Sequence, residues 1–232
     1  MHTPQPARNA VLAALAAADY QLIQPHLQYV DLPLRTPLEH RMKHVEYIYF
    51  MESGIASVVA DGDRPIEVGV IGREGMTGVS VILGKGGEVP YETYIQIEGS
   101  GQRIASDKLR AAIVKSPALH NVLLGYVHSF LAQATQTALA NGRGTLEQRL
   151  ARWLLMIDDR VDGNTVPMTH EFLGVMLGVQ RSGVTVTLRE IERQGAISQK
   201  RGAIDIIDRA TLEDIAKANY VRLTPSLATL SD

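Results

Sequence analysis

The sequence predicts an α+β protein with an N-terminal antiparallel β-roll of jelly-roll type, one long helix and a C-terminal winged helix-turn-helix. Three observations predict it. Between about residues 28 and 105, short apolar runs recur between turn signals. From Ser116-Pro117 a three-and-four-residue apolar pattern runs unbroken to Asn141-Gly142. After residue 169 come a short helix, a glycine turn, a second helix and a two-stranded hairpin.

Taken in order, residues 7–18 form an Ala/Leu helix with Val11, Leu12 and Leu15 on one face. Tyr29–Leu34, Val45–Met51, Ile55–Ala60, Ile66–Ile71, Val79–Leu83 and Tyr91–Ile97 read as strands. They are parted by Glu52-Ser53-Gly54, Asp61-Gly62-Asp63, Gly72, Gly84-Lys85-Gly86-Gly87 and Gly99-Ser100-Gly101. Ser116 can cap the long helix, and Pro117 suits its first turn. That helix is about 35 Å long. The narrow stripe of Leu119, Leu123, Tyr126, Val127, Phe130 and Ala134 reads as a dimer seam more readily than as a core face.

A further helix covers 145–158, with Leu146, Leu150, Trp153, Leu154 and Ile157 inward, before a polar connector. Thr169 caps the helix Phe172–Leu177, Gly178 ends it, and a second helix runs from Gln180 to Gln194. Two strands, Ala196–Gln199 and Ala203–Ile207, are joined by Lys200-Arg201-Gly202. Asp208 caps a last helix with Leu212 and Ile215. The domains expected are a sensor roll (1–115), a dimerisation helix (116–142), a winged helix-turn-helix (143–220) and a loosely held tail (221–232).

Composition narrows the function. The chain has 232 residues, 45% hydrophobic and 21% charged, which is ordinary for a globular protein. No run approaches the roughly 20 apolar residues of a membrane span, so no membrane partner is expected and a cytoplasmic location is the simplest reading. The absence of cysteine excludes disulfides, thiolate metal sites and a cysteine nucleophile. A metal-dependent enzyme on a β-barrel would want clustered His and Glu. Only Glu39, His40, His44 and Glu46 come near that, and no second cluster follows, so neither catalysis nor a metal nor a cofactor is expected. The net charge of −2 does not advertise a nucleic-acid partner, yet 180–201 carries Arg181, Arg189, Arg193, Lys200 and Arg201 against Glu190 and Glu192.

That local charge sits where a DNA reader would need it. On the outer face of the second helix lie Gln180, Arg181, Ser182, Thr185 and Arg189; Val184 and Leu188 face inward. Arg can address guanine bidentately, Gln adenine, and a Thr methyl the thymine methyl. Thr169 and His170 open the first helix, and Lys200 and Arg201 at the hairpin tip suit phosphate contact.

The whole arrangement resembles the Crp/Fnr family of bacterial transcription regulators. The resemblance rests on "IYFMESGIASVV" (48–59), "IEVGVIGREGMTGVSVILG" (66–84), "LEQRLARWLL" (146–155) and "THEFLGVMLGVQRSGVTVTLREIERQGAI" (169–197), and it spans about residues 10–220. It implies a homodimer, a sensory β-roll, a two-fold symmetric double-stranded DNA operator and a contact with RNA polymerase. It also places an effector pocket near Gly72, Arg73, Glu74, Tyr91, Glu92, Thr93 and Thr135. The sequence departs from the family here: Tyr91, Glu92 and Thr93 stand where cyclic-nucleotide-binding members have Arg, Ser or Thr, and Ala. A carboxylate there repels phosphate, so the expected effector is not a cyclic nucleotide; the alternative is a regulator responding to cyclic AMP or cyclic GMP. Of the family's base-contacting Arg, Glu and Arg, only Arg181 is kept, with Ser182 and Val186 at the other two positions.

Overall fold

The computed structural model describes residues 8–60, 65–84 and 88–222. The expected turns at Asp61–Asp63 and Lys85–Gly87 lie outside the described residues, as does the tail from residue 223 onward. The chain forms two compact units. One is built from Met1–Ser57 with Ile71–Leu131, the other from Val58–Val70 with Ala132–Leu223.

The first described elements are α1 (Ala10–Ala13) and α2 (Ala17–Ile23), two short helices where one was expected. Asn9 explains the start of α1. Its Oδ1 accepts the N–H of Leu12 at 3.1 Å, while its Nδ2 donates to the carbonyls of Met51 (2.8 Å) and Gly75 (2.7 Å). This side chain is fully buried with both its amide oxygen and its amide nitrogen bonded, which fixes α1 against the roll.

The roll consists of β1 (Gln28–Leu32), β2 (Pro37–Glu39), β3 (Tyr47–Met51), β4 (Ile55–Ala60), β5 (Ile66–Ile71), β6 (Tyr91–Ile97) and β7 (Gly99–Ala105). One sheet has the order β1-β7-β3, the other β2-β6-β4-β5. Strand β7 pairs antiparallel with both neighbours, Asp31 opposite Ser100 and Ile48 opposite Ile104. Gly99-Ser100-Gly101 is therefore strand, not turn. These glycines admit close backbone approach: a Cβ at 99 would stand 2.3 Å from the Ser53 carbonyl oxygen, and one at 101 2.5 Å from that of Phe50.

Val79–Leu83, expected as a strand, is instead the helical turn α3 (Val79–Ile82). Gly78 enters it at φ 82, and consecutive residues Val81 and Ile82 are both buried, as no half-exposed strand would allow. A ten-residue helix, α4 (Ser106–Lys115), follows β7 without having been anticipated. Its buried Leu109 joins Ile48, Phe50, Met76 and Ile104 in one core.

Helix α5 runs from Pro117 to Arg143. Ser116 Oγ accepts the N–H of Leu119 at 3.0 Å, as expected of a cap, and also donates to Asp19 at 2.6 Å. Leu119, Leu123 and Tyr126 are buried in the core just described, with Val127 and Phe130 packed partly against it. Of the apolar stripe that reads as a dimer seam, the part from Leu119 to Phe130 is thus the face by which α5 docks on its own roll. A stripe identifies which face is buried but not what buries it.

In the second unit, α6 (Leu146–Asp158) starts at a capping box: Thr145 Oγ1 accepts from Gln148 N–H at 3.3 Å, and the Gln148 side chain accepts from Thr145 N–H at 3.1 Å. Then come β8 (Thr165–Val166), α7 (His170–Leu177), α8 (Arg181–Arg193), β9 (Ile197–Lys200), β10 (Ala203–Ile206) and α9 (Arg209–Ala216), with the small sheet ordered β8-β10-β9. Leu150, Leu154, Leu173, Val184, Leu188 and Leu212 are fully buried between these helices. Arg209 fastens α9 to α6 through Asp158 and Asp159.

The same unit holds Val58–Val70, which includes most of β5 and the second half of β4. Glu67 accepts the indole N–H of Trp153, and Gln133 pairs its amide with both backbone groups of Val70, accepting at 2.7 Å and donating at 3.1 Å. Arg152, buried beside Glu67, donates to Thr137 at 3.0 Å. Burial pushes the guanidinium down to about 10, against the opposing pull of Glu67, so it stays charged at neutral pH.

Candidate nucleic-acid interface

Two glycines make the turn between α7 and α8. Gly178 ends α7 in the left-handed conformation at φ 65. Gly174, one turn earlier, lets the chain fold back: a Cβ there would lie 2.9 Å from the Val179 carbonyl oxygen, while Val179 N–H donates to Gly174 O at 2.8 Å. The sharp approach of the two helices follows directly. Thr169 caps α7 by accepting from Phe172 N–H at 3.2 Å.

Helix α8 begins with β-branched residues, and each is accommodated. Val184 is buried. Thr185 and Thr187 donate their hydroxyls to the carbonyls four residues back, at Arg181 (3.0 Å) and Gly183 (2.9 Å). Val186 is 66% exposed. Since the Thr185 hydroxyl gives its proton to Arg181 O, the contact to His170 Nδ1 at 2.9 Å has the imidazole as donor. This bond joins the first turn of α7 to the outer face of α8 and leaves His170 Nε2 unused by it.

A cleft of about 400 Å³ is lined by Met168, Thr169, His170, Glu171, Arg181, Lys200, Arg201 and Gly202. Thus five of the nine residues expected to touch DNA (Thr169, His170, Arg181, Lys200 and Arg201) share one concavity. Gln180 is the exposed residue before α8, with no side-chain capping bond; Ser182 and Arg189 are exposed and Thr185 half-buried on the same helix.

Charge pairing sorts the cations. Lys200 is ion-paired with Asp205, and Arg193 binds Glu190 at 2.6 Å. Lys200, together with Thr165, holds the Asp205 carboxyl below its usual range. Among the described residues, Arg181, Arg189 and Arg201 have no such partner. An uncompensated guanidinium is available to an anion, whereas a paired one must first give up its carboxylate.

In the roll, the residues expected to line an effector pocket do not act alike. Gly72, Arg73 and Glu74 form a tight turn: Glu74 Oε1 accepts from Gly72 N–H at 3.2 Å, and Arg73 O accepts from Ala10 N–H at 2.8 Å. Thr93 is buried and donates to Glu39 Oε2 at 2.6 Å, while Glu39 Oε1 accepts from Gly78 N–H at 3.0 Å. Burial raises the Glu39 carboxyl above its ordinary value despite those two bonds, and burial followed by the charge of Glu39 raises the phenol of Tyr91. Glu92 is exposed on β6. Thr135 is exposed on α5 in the other unit. Glu39 and Asn9 were not anticipated as polar centres of the roll; one sits beside two histidines and the other in an Ala-rich run, and only long-range contacts reveal them. Among the described residues, no group of three or more His, Asp or Glu could hold a metal ion.

Comparison with known proteins agrees with this architecture. Residues 148–215 match the Crp-like helix-turn-helix domain. The fold is similar to that of FixK2 from Bradyrhizobium japonicum, with a TM-score of 0.71 at 19% identity, covering 83% of this chain and 98% of that one. It is also similar to the c-di-GMP-responsive global regulator CLP from Xanthomonas campestris, with a TM-score of 0.67 at 15% identity over 82% of this chain and 99% of that one. A CRP-family transcriptional regulator from Thermus thermophilus gives 0.65 at 18% identity, covering 81% and 96%. A search of curated protein sequences finds no match. The molecule is a helix-turn-helix protein of Crp/Fnr architecture. Residues 148–215 belong to the Crp-like helix-turn-helix domains, and the fold of the chain is similar to those of Crp/Fnr-type regulators.

Proposed function

We propose that the chain is a homodimeric transcription regulator that reads a two-fold symmetric operator with α8, holds the flanking phosphates with the start of α7 and the hairpin tip, and senses through its roll an effector other than a cyclic nucleotide. The observation that carries this reading is the set of cations Arg181, Arg189 and Arg201, uncompensated among the described residues, on and around a cleft that also holds Thr169 and His170. Duplex DNA is the polyanion that a helix-turn-helix of this shape accepts. RNA polymerase is the expected protein partner, and the cytoplasm the expected location. No helix among the described residues is long and apolar enough to cross a membrane.

The exposed side of α5 suits the dimer seam of this proposal. His128, Leu131, Thr135 and Ala138 recur there at alternating three- and four-residue steps, all exposed, and Leu131 is 62% exposed. That is the spacing of a coiled-coil seam. An effector acts by binding one arrangement of the protein better than another. The hairpin carrying Glu67 and Val70 supports such coupling, because it is bonded to α5 and α6 within the unit that holds the helix-turn-helix.

Binding to an operator selected from random DNA tests the proposal. Arg181→Ala should weaken it by about 1–3 kcal/mol, and affinity should fall steeply with salt. Failure to select any operator sinks the reading. Calorimetric titration with cyclic AMP and cyclic GMP should show no binding; a tight complex with either would favour the cyclic-nucleotide alternative.

A further inference from the structure

We propose that Val186 reads the C5-methyl group of a thymine in each half of the operator, an assignment that rests on the DNA-binding reading above. Helical geometry fixes where Val186 points. Val184, Leu188 and Ile191 are buried, so the opposite side of α8 carries Ser182, Val186, Arg189 and Arg193, with Val186 near its centre. All four are exposed.

A single exposed valine is ordinary on a protein surface and proves nothing alone. Here two further observations bear on it. The other β-branched residues of this turn are engaged: Val184 in the core, Thr185 and Thr187 in bonds to the helix backbone. Val186 has no such task and lowers the helix propensity of its position. In addition, Arg189, one turn along on the same side of α8, has no carboxylate partner among the described residues; such a guanidinium selects a polyanion over an apolar protein surface.

In the major groove the apolar feature a base pair presents is the thymine methyl; the other groups are donors or acceptors. A valine set over guanine or cytosine would strip water from those groups and return no hydrogen bond. Over thymine it buries a methyl group against its own two. Arg181 then fixes register, and Val186 discriminates at a neighbouring base pair.

The experiment replaces thymines of a selected operator one at a time by deoxyuridine, which removes only the methyl. The wild-type chain should lose about fourfold in affinity at one position per half-site, the effect of one buried methyl. Val186→Ser should bind thymine and deoxyuridine forms equally at that position, and Arg181→Ala should still show the deoxyuridine penalty on top of its own loss. A flat deoxyuridine scan, or an unchanged penalty in Val186→Ser, overturns the assignment while leaving DNA binding intact. If no operator is selected, the underlying DNA reading fails and the assignment with it.

Discussion

Glu67 accepts the indole N–H of Trp153 at 2.7 Å, although 86 residues separate them in sequence, and both are buried. The hairpin of β4 and β5 is held to α6 by this bond, with Arg152 supplying the balancing charge. Trp153→Phe keeps the ring but leaves a buried carboxylate short of a donor. It should cost about 2 kcal/mol in urea unfolding, and Glu67→Gln, which keeps an acceptor for the indole but removes the charge that balances buried Arg152, should cost at least as much.

Gly174 and Gly183 should respond in opposite ways to alanine. At 174 the new Cβ meets a backbone oxygen at 2.9 Å, which cannot move without opening the turn. At 183 it meets only the tip of Leu146 at 3.4 Å, a flexible contact. Gly174→Ala should lower the midpoint of thermal unfolding; Gly183→Ala should raise it, since alanine gains up to about 1 kcal/mol over glycine within a helix. Two destabilised variants would show that the Leu146 contact is tighter than its geometry implies.

Burial raises the Glu39 carboxyl, so the folded roll holds a proton at pH values where the unfolded chain has released it. That contribution to stability is complete below the ordinary value of 4.5 and is lost as pH rises through the folded-state value. Glu39→Gln, which can still serve Gly78 and Thr93, removes the titration. The variant should therefore gain on the wild type as pH is raised from 4.5 toward neutrality. Parallel stability curves for the two proteins would mean that Thr93 and Gly78 fully offset the desolvation.

Leu131→Glu should dissociate the proposed dimer without unfolding the chain, because Leu131 is 62% exposed in the protomer. Leu123→Glu, by contrast, puts a charge into the core and should unfold the roll. Sedimentation and circular dichroism distinguish the two. A dimer that survives Leu131→Glu would move the seam elsewhere.

The helix-turn-helix was legible in the sequence because its signals are local. Thr169, Gly178 and Asp208 stand where caps and turns require them, and the inward spacing of Val184 and Leu188 needs no partner to be read. The roll was less so. Val79–Ile82 is a helical turn because buried apolar runs of that length suit either geometry, and Gly99 and Gly101 are strand residues because two distant carbonyls press against them. Leu119, Leu123 and Tyr126 show a buried face in the sequence, but only the roll packed against them shows what buries it. Among the site residues, the cations emerged from charge alone, but their division into paired Lys200 and free Arg201 depends on Asp205, which the hairpin brings opposite Ser198 and beside Lys200.

Three successive positions of α8 differ in how freely they can change. Val184 is in the core, Thr185 is bonded to both His170 and the helix backbone, and Val186 touches neither. On the proposed reading of α8, substitution at the third leaves folding almost untouched while altering the chemistry offered to the groove. On that reading, a lineage carrying this scaffold can drift from one operator to another through residue 186 without first acquiring a compensating, stabilising change.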